Sequence, residues 1–345
     1  MTDRARIAII GLGMAVRPHA KSLSDLGDRV EVAYAFSRSE ERRRAFAELF
    51  DFPLTGDLHR ILDDRSIGAV LLLTPPNIHL ELVQAFAGAG KHILLEKPLE
   101  RSSERALRLV EAAEAAGVTL GVVLQHRFRA ASEHLRQKIA AGALGELAAA
   151  SVLSPWWRPQ SYYDQPGRGT LARDGGGVLI TQAIHTLDLA LSLTGPVAEV
   201  AAICGTTRLH RMETEDCAGA GLRFANGALG ALFATTAEYP GFPERIELIG
   251  TRTTAVLAAG VVTLHHHDGR TERIGEEQTT GGGADPMAFP HDAHRALLTE
   301  FLDALDQDRE PVPSGREALR VHPFIDAVLR SSELGRAVAI PAEEG

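Results

Sequence analysis

The chain is poor in large rings and in sulfur: its 345 residues include 2 Trp, 4 Tyr, 12 Phe and 2 Cys. Two cysteines, Cys204 and Cys217, cannot build a disulfide framework. Both lie in apolar, strand-like surroundings, so they read as reduced thiols, and the expected compartment is a reducing cytoplasm. A basic surplus is also missing. Lys+Arg number 36 against Asp+Glu 45, a formal net charge of −9, and this excludes a general nucleic-acid binder, which needs Lys and Arg in excess to neutralise phosphates. Long apolar runs are absent: Ala69–Leu73 falls far short of the roughly 18–20 residues that cross a bilayer, so no membrane partner is expected. The run Ile7–Ile10 is too short for a signal-peptide core. No block of like charge forms a tail, and Glu40–Arg44 reads as the solvated face of a helix. What remains, 45% hydrophobic and 23% charged, fits a soluble globular protein of two domains. Within that ring-poor composition, Trp156, Trp157, Tyr162 and Tyr163 stand together.

The first 125 residues alternate strand and helix signals. Ile7–Ile10, Val30–Phe36, Ala69–Leu73, His92–Leu95 and Thr119–Leu124 read as strands. Met14–Leu26, Ser39–Phe50 with Ser39 as N-cap, Asp57–Leu62, Asn77–Gly88 and Ser103–Ala116 read as helices. This spacing predicts an α/β fold with a doubly wound parallel sheet over 1–125. The pattern then changes. After a helix at 130–141, strands are expected at Leu147–Leu153, Val197–Thr206, Cys217–Phe224, Ala228–Thr236, Arg245–Ile249, Thr253–Leu257 and Val261–His265. Asn226-Gly227 marks a hairpin. Helices are expected at Gly177–Leu193, His291–Leu305 and Arg316–Leu334. Residues 126–345 thus read as a second domain with a mostly antiparallel sheet. Gly281–Gly283 through Pro290 reads as its most mobile loop.

Gly11-Leu12-Gly13-Met14-Ala15-Val16 joins the first strand to the first helix. Glycines there let backbone amides approach a pyrophosphate at a helix N-terminus, so Gly11, Gly13, Met14 and Ala15 are expected to bind a dinucleotide. The third glycine position of the usual fingerprint is Val16. The second strand ends at Ser37-Arg38, where a carboxylate would favour NAD. Ser37 and Arg38 instead suit a 2′-phosphate, so the cofactor is read as NAD(P), leaning to NADP; the other reading has Arg38 merely stacking on adenine. Thr74-Pro75-Pro76-Asn77-Ile78-His79 and Glu96-Lys97-Pro98 close two further strands, at the end of the sheet where ligands bind. No metal is expected. The run His265-His266-His267 alternates sides along a strand and cannot turn three ligands to one ion, while His291 and His294 read as structural.

These segments together resemble the glucose–fructose oxidoreductase / inositol dehydrogenase / MocA (Gfo/Idh/MocA) family. The resemblance rests on Gly11–Gly13 with Pro18-His19, on Thr74–His79, on Glu96-Lys97-Pro98, on Gly175-Gly176-Gly177, on His185 with Asp188, and on Gly195, and it spans the whole chain. It implies an NAD(P)-dependent oxidoreductase that moves hydride between nicotinamide and a secondary alcohol or ketone of a sugar, sugar acid, nucleotide sugar or polyol. It also implies an N-terminal dinucleotide-binding Rossmann domain over 1–125, a C-terminal α/β domain over 126–345 with a large, mostly antiparallel open sheet, and a homodimer or homotetramer formed through that sheet. Thr74, Pro75, Asn77, His79, Glu96, Lys97 and Gln125 are then cofactor contacts, the Lys97–Pro98 bond is a candidate cis peptide, and Lys97 and His185 are the catalytic proton-transfer pair. Many members carry Asp four residues before this His. Here Thr181 stands there, followed by Gln182, a variant resembling dehydrogenases of nucleotide-linked sugar acids.

The proton transfer suits these residue types. A hydroxyl proton must leave as hydride does, and a lysine among cations or apolar walls, or a histidine, titrates in the useful range. Arg127, at the domain junction, Thr181, Gln182 and His185 are expected to contact substrate. So are Trp157, Arg158, Tyr162, Tyr163 and Arg168, because flat rings suit sugar faces and guanidinium groups suit carboxylates or phosphates. The other reading of that ring cluster is a domain or subunit contact. Two other functions compete: an NAD-dependent glycoside hydrolase of the same family, and a non-enzymatic cofactor-binding regulator, which would have no use for Lys97 and His185.

Overall fold

The computed structural model describes residues 4–279 and 281–341. They divide into two compact units. One takes the chain up to Gln125 and then His291–Leu319; the other takes His126–Pro290 and the chain from Arg320 on. The expected boundary is corrected for residues 291–319, which belong with the first unit. Phe301 lies so close over Gly121 that a Cβ there would sit 2.9 Å from the ring. The Val122 amide donates to the Pro313 carbonyl at 3.2 Å. Leu298, Phe301 and Leu302 line one small cavity with Ile7, Val30, Val70 and Leu94 of the sheet. An amphipathic helix declares an apolar face in sequence but not which sheet that face will cover.

The first unit is built on β1 (Ala5–Ile10), β2 (Val30–Phe36), β3 (Leu54–Thr55), β4 (Ala69–Leu72), β5 (His92–Glu96) and β6 (Leu120–Val123). They pair in parallel in the order β3-β2-β1-β4-β5-β6. β4 and β6 are buried at every position, as strands covered on both faces must be, which is why they read as unbroken apolar runs. The order reverses between β1 and β4, so the loops after these strands diverge and leave room for a ligand. Ser39 caps the helix Glu40–Ala47, its hydroxyl accepting from the Arg42 amide at 3.2 Å.

The second unit holds β7 (Leu147–Pro155), β8 (Val197–Gly205), β9 (Cys217–Phe224), β10 (Leu229–Thr235), β11 (Arg245–Gly250), β12 (Thr253–Ala258), β13 (Val261–His266), β14 (Thr271–Gly275) and β15 (Val338–Ala339). They form one sheet in the order β14-β13-β12-β11-β7-β10-β9-β8-β15, antiparallel throughout except where β7 pairs with β10. One face is covered by helices of the same unit, with Leu187, Leu193, Phe324 and Val328 packed against Leu222, Leu232 and Leu248. The other carries Ile203, Leu229, Phe233 and Ile249 in the open. Leu171–Thr194 is apolar enough to span a membrane by length and composition, but 83% of its most apolar window is buried within the protein; this is a core segment. Cys204 and Cys217 are free thiols, and burial pushes Cys204 up to about 11.

The single helix expected at 316–334 is two, Gly315–Leu319 and Val321–Leu334, one in each unit. Pro323 explains the break, since in a continuous helix its ring would clash with the Leu319 carbonyl four residues back. Beside it, His322 is 2% exposed, and burial pushes its pKa from 6.5 down to about 4. The unfolded chain takes up this proton near its ordinary value and the folded one only near 4. The folded state is therefore fully favoured above the ordinary value and loses stability as pH falls below it, by about 3 kcal/mol once both states are protonated. The urea midpoint of the wild type should fall across this acid window more steeply than that of His322→Leu; parallel curves would contradict the assignment.

Candidate active site

The dinucleotide end of the first unit is shaped by glycine. Gly11 has φ +109°, and a Cβ on it would lie 2.9 Å from the Leu73 carbonyl oxygen. Gly13 has nothing within 4 Å of its Cβ position. Ala15 precedes the helix Val16–Asp25, and no side chain caps its first turn, which leaves the leading amides to face an anion. These features fit a pyrophosphate. Val16, at the third glycine position, is turned into the core, while Met14 is exposed. At the end of β2, Ser37 is buried and its hydroxyl accepts from the Ser39 amide at 3.3 Å. Arg38 is exposed, and Arg43 donates to the carbonyls of both Ser37 and Arg38.

The loops after β4 and β5 are tied together. Pro75 is exposed and Asn77 half-buried, on a short 3-10 turn at Pro76–Ile78. His79 is corrected: it is 0% exposed and cannot touch a cofactor. Its ring nitrogens face the Thr74 carbonyl at 2.7 Å and those of Pro98 and Leu99 at 3.1 Å. Glu96 also works inward. One oxygen meets His19 Nε2 at 3.0 Å, and the other accepts from the Lys97 amide at 3.0 Å. The Lys97–Pro98 bond is cis, and Lys97 is half-buried. The His19 ring stands edge-on to that of His294, 4.9 Å between centroids, and ligand-type atoms of His19, Glu96 and His294 lie within 4.8 Å of one another. No spacing in the sequence announces this grouping. Gln125 is buried after β6.

In the second unit, His185 opens a regular helix, Ile184–Thr194, that follows a wider π-type turn at Leu179–Ala183; such turns recur at functional sites. The turn is anchored by Glu215, whose carboxylate accepts from the amides of Gly177 (3.0 Å) and Leu179 (3.1 Å). Burial raises the Glu215 pKa, and those amides pull it back. Nothing in the sequence pointed to Glu215, because its partners are amides of a distant turn. Thr181 gives its hydroxyl proton to the Gly177 carbonyl at 2.6 Å. The His126 ring stacks on that of His185, centroids 4.8 Å apart, and Arg129 donates to His126 Nε2 at 2.7 Å while pairing with the buried Glu244. Arg127 holds Asp188 with two parallel bonds, 2.8 and 2.7 Å. Its expected substrate contact is thus at least shared with an internal ion pair that fixes the His185 helix.

The ring cluster divides. Trp156 and Tyr163 are buried, and the Tyr163 hydroxyl is 2.6 Å from Thr236, so Tyr163 is corrected from a substrate contact to a core residue. Arg158 is corrected as well. It is 1% exposed and donates to Gln182, to the Trp157 carbonyl, and to the carbonyls of Gly281 and Gly283. The glycine run expected to be mobile is thereby pinned at its described residues, Gly282 also accepting from the Trp157 amide at 2.8 Å; Thr280 lies outside the described residues. Gln182 is buried and reaches the Tyr162 oxygen. Trp157, Tyr162 and Arg168 are only half-buried. Trp157 lies edge-on to Tyr239 at 5.5 Å.

Comparison with known proteins agrees with this architecture. The family model described as an oxidoreductase family with an NAD-binding Rossmann fold matches residues 5–124, and that of the GFO/IDH/MocA C-terminal domain matches residues 132–256. The chain is 28% identical to a myo-inositol 2-dehydrogenase of Thermotoga maritima, over 72% of this chain and 73% of that one. It is 29% identical to a 1,5-anhydro-D-fructose reductase of Ensifer adhaerens, over 90% and 91%. Among solved structures, the WlbA dehydrogenase of Bordetella pertussis, in complex with NADH and UDP-GlcNAcA, superposes with a TM-score of 0.85 at 29% identity, covering 99% of this chain and 100% of that one.

Proposed function

The chain belongs to the Gfo/Idh/MocA oxidoreductase family, and from that membership we propose that it oxidises, or in reverse forms, a secondary alcohol on a carbohydrate, with a nucleotide-linked sugar acid as the favoured substrate. The observation that carries the reading is the glycine turn, closed against Leu73 at Gly11, open at Gly13 and followed by an uncapped helix, as a pyrophosphate site requires. The relatives named above act on or bind an inositol, an anhydro sugar and a nucleotide sugar acid, all polyhydroxylated. The last of these matches this chain along its whole length.

When bound, the nicotinamide supplies the hydride acceptor. The chain supplies the rest. Glu96 fixes the Lys97 backbone through its amide. Lys97 and His185 move the hydroxyl proton as hydride leaves, a role for which each must stand near its neutral form. The His126 stack and the Arg127–Asp188 pair hold the His185 ring in one orientation. Thr181, its own proton already given to Gly177, can only accept, so it suits a substrate hydroxyl. Chains associate through the open face of the nine-stranded sheet, where Ile203, Leu229, Phe233 and Ile249 otherwise meet water; light scattering that returned a monomer would oppose this.

We favour NADP as cofactor. Ser37 offers no carboxylate to a ribose, and the exposed Arg38 side chain makes no hydrogen bond among the described residues, so a 2′-phosphate would meet an unspent guanidinium. Calorimetry should find NADP bound more tightly than NAD by about tenfold, and Ser37→Asp should invert the order, since a charge-assisted contact is exchanged for repulsion. Tighter NAD binding by the wild type would refute the preference.

A further inference from the structure

Besides the buried Trp156 Nε1, two adjoining donors of the ring cluster have no acceptor among the described residues. The first is the Tyr162 hydroxyl. Arg158 has only donors, so the Gln182 atom facing its Nε, at 3.1 Å, must be the amide oxygen. That fixes the amide, and its nitrogen donates to the Tyr162 oxygen at 2.9 Å. With its oxygen already accepting, Tyr162 has its proton to give, and no described residue takes it. The second is Arg168. Its guanidinium carbon lies 5.0 Å from the centre of the Tyr162 ring. Its side chain makes no hydrogen bond among the described residues, Nε is buried without a partner, and the nearest carboxylate, Asp174, is 3.9 Å away, beyond hydrogen-bond reach. The side chain is nonetheless only 21% exposed.

A donor withheld from water without an acceptor is unfavourable; Arg168 Nε is buried in this way, beside the half-buried Tyr162. The buried Arg158 is part of the same arrangement. Its charge sits 5.9 Å from the Tyr162 ring, and through Gln182 it prevents Tyr162 from turning its hydroxyl inward. The geometry points to an anion subsite in which the Tyr162 hydroxyl and the Arg168 guanidinium together donate to a carboxylate or phosphate of the substrate, with Arg158 and Gln182 setting the direction of the Tyr162 bond. This rests on the dehydrogenase reading above and sharpens it: Tyr162 and Arg168 select anionic over neutral sugars, and Arg158 and Gln182 are positioning residues that never touch the ligand.

Gln182→Glu is the diagnostic substitution, because a carboxylate there accepts from Tyr162 and turns its proton away from the ligand. The full-length protein would be assayed with UDP-GlcNAcA, with the same nucleotide sugar bearing a hydroxymethyl in place of the carboxylate, and with glucuronate and glucose. The ratio of kcat/KM for acid over neutral partner should fall by about ten- to a hundredfold in Tyr162→Phe, Arg168→Gln and Gln182→Glu, as expected for a lost bond to a charged group. The double variant Tyr162→Phe/Gln182→Glu should be no worse than Gln182→Glu, since both remove one bond. A fall confined to the carboxylate pairs identifies the carboxylate; equal losses on both nucleotide sugars with glucuronate over glucose unchanged identify the diphosphate. Losses that are the same for all four compounds overturn the subsite. Calorimetric titration of glucuronate and UDP-GlcNAcA separates the two readings. Binding that weakens in the variants while the wild type turns nothing over would leave the subsite standing and the dehydrogenase reading fallen. A wild type that binds neither compound overturns the subsite. Melting temperature and NADP affinity unchanged in each variant establish that the fold is intact.

Discussion

Lys97→Ala and His185→Ala should each lose turnover by about a hundredfold or more, the range a positioned acid–base group contributes, while dinucleotide affinity stays within about threefold. The expectation follows from what surrounds each group. Lys97 follows Glu96, whose carboxylate is spent on His19 and on the Lys97 amide, so removing the Lys97 side chain leaves the backbone of the cofactor loop held. His185 is packed against His126 and sits on a helix fixed by Arg127 and Asp188, so its removal need not move Thr181 or Tyr162. Lys97→Arg discriminates further. Arginine keeps the charge but cannot release a proton near neutrality, so it should be as slow as alanine if Lys97 moves a proton, and close to wild type if charge alone matters. Steady-state rates and calorimetric affinities for the four proteins decide this, and wild-type turnover in either alanine variant would remove the assigned role.

The largest structural effect is expected at Gly177→Ala. A Cβ there would lie 1.8 Å from the Glu215 carbonyl oxygen and 2.6 Å from its carboxylate. The first is backbone and cannot step aside. The Glu215 contacts that anchor the π-type turn would be forced apart, leaving a buried carboxylate without the amides of Gly177 and Leu179. Overpacking combined with a stranded buried acid should cost about 4 kcal/mol, roughly 10 °C in melting temperature for a unit of this size. Gly205→Ala, with nothing within 4 Å of the new methyl, is the control and should change stability by less than about 0.5 kcal/mol. If the two variants melt alike, Glu215 does not hold the turn.

Much of the architecture was legible because burial writes itself into period. β4 and β6 are buried at every position and read as unbroken apolar runs. The hairpin at Asn226-Gly227 was visible because Gly227 takes φ +88°. β14 was missed because its residues, Thr271–Gly275, alternate exposed and half-buried on a sheet edge and carry one large apolar side chain. The return of residues 291–319 to the first unit was invisible because an apolar helix face carries no address. At the site, residue types were legible and their partners were not. Arg158, Tyr163 and His79 look in sequence like outward-facing ligands, yet each is spent on carbonyls, hydroxyls or amides brought near by the fold. Tyr162 and Arg168 are different: each is half-buried and keeps a donor with no acceptor among the described residues.

The account turns on net hydride transfer. The most direct measurement is the absorbance of reduced nicotinamide in a mixture of the purified protein, NADP or NAD, and UDP-GlcNAcA, followed together with the release of UDP or free sugar. The account predicts a steady rise that continues past one equivalent of enzyme and stops in Lys97→Ala, with no sugar released. Release of sugar without accumulation of reduced nicotinamide would contradict it and establish the glycoside-cleaving alternative. Dinucleotide binding without either product, across this substrate and the free sugars and sugar acids, would mark the chain as a binding protein rather than a dehydrogenase.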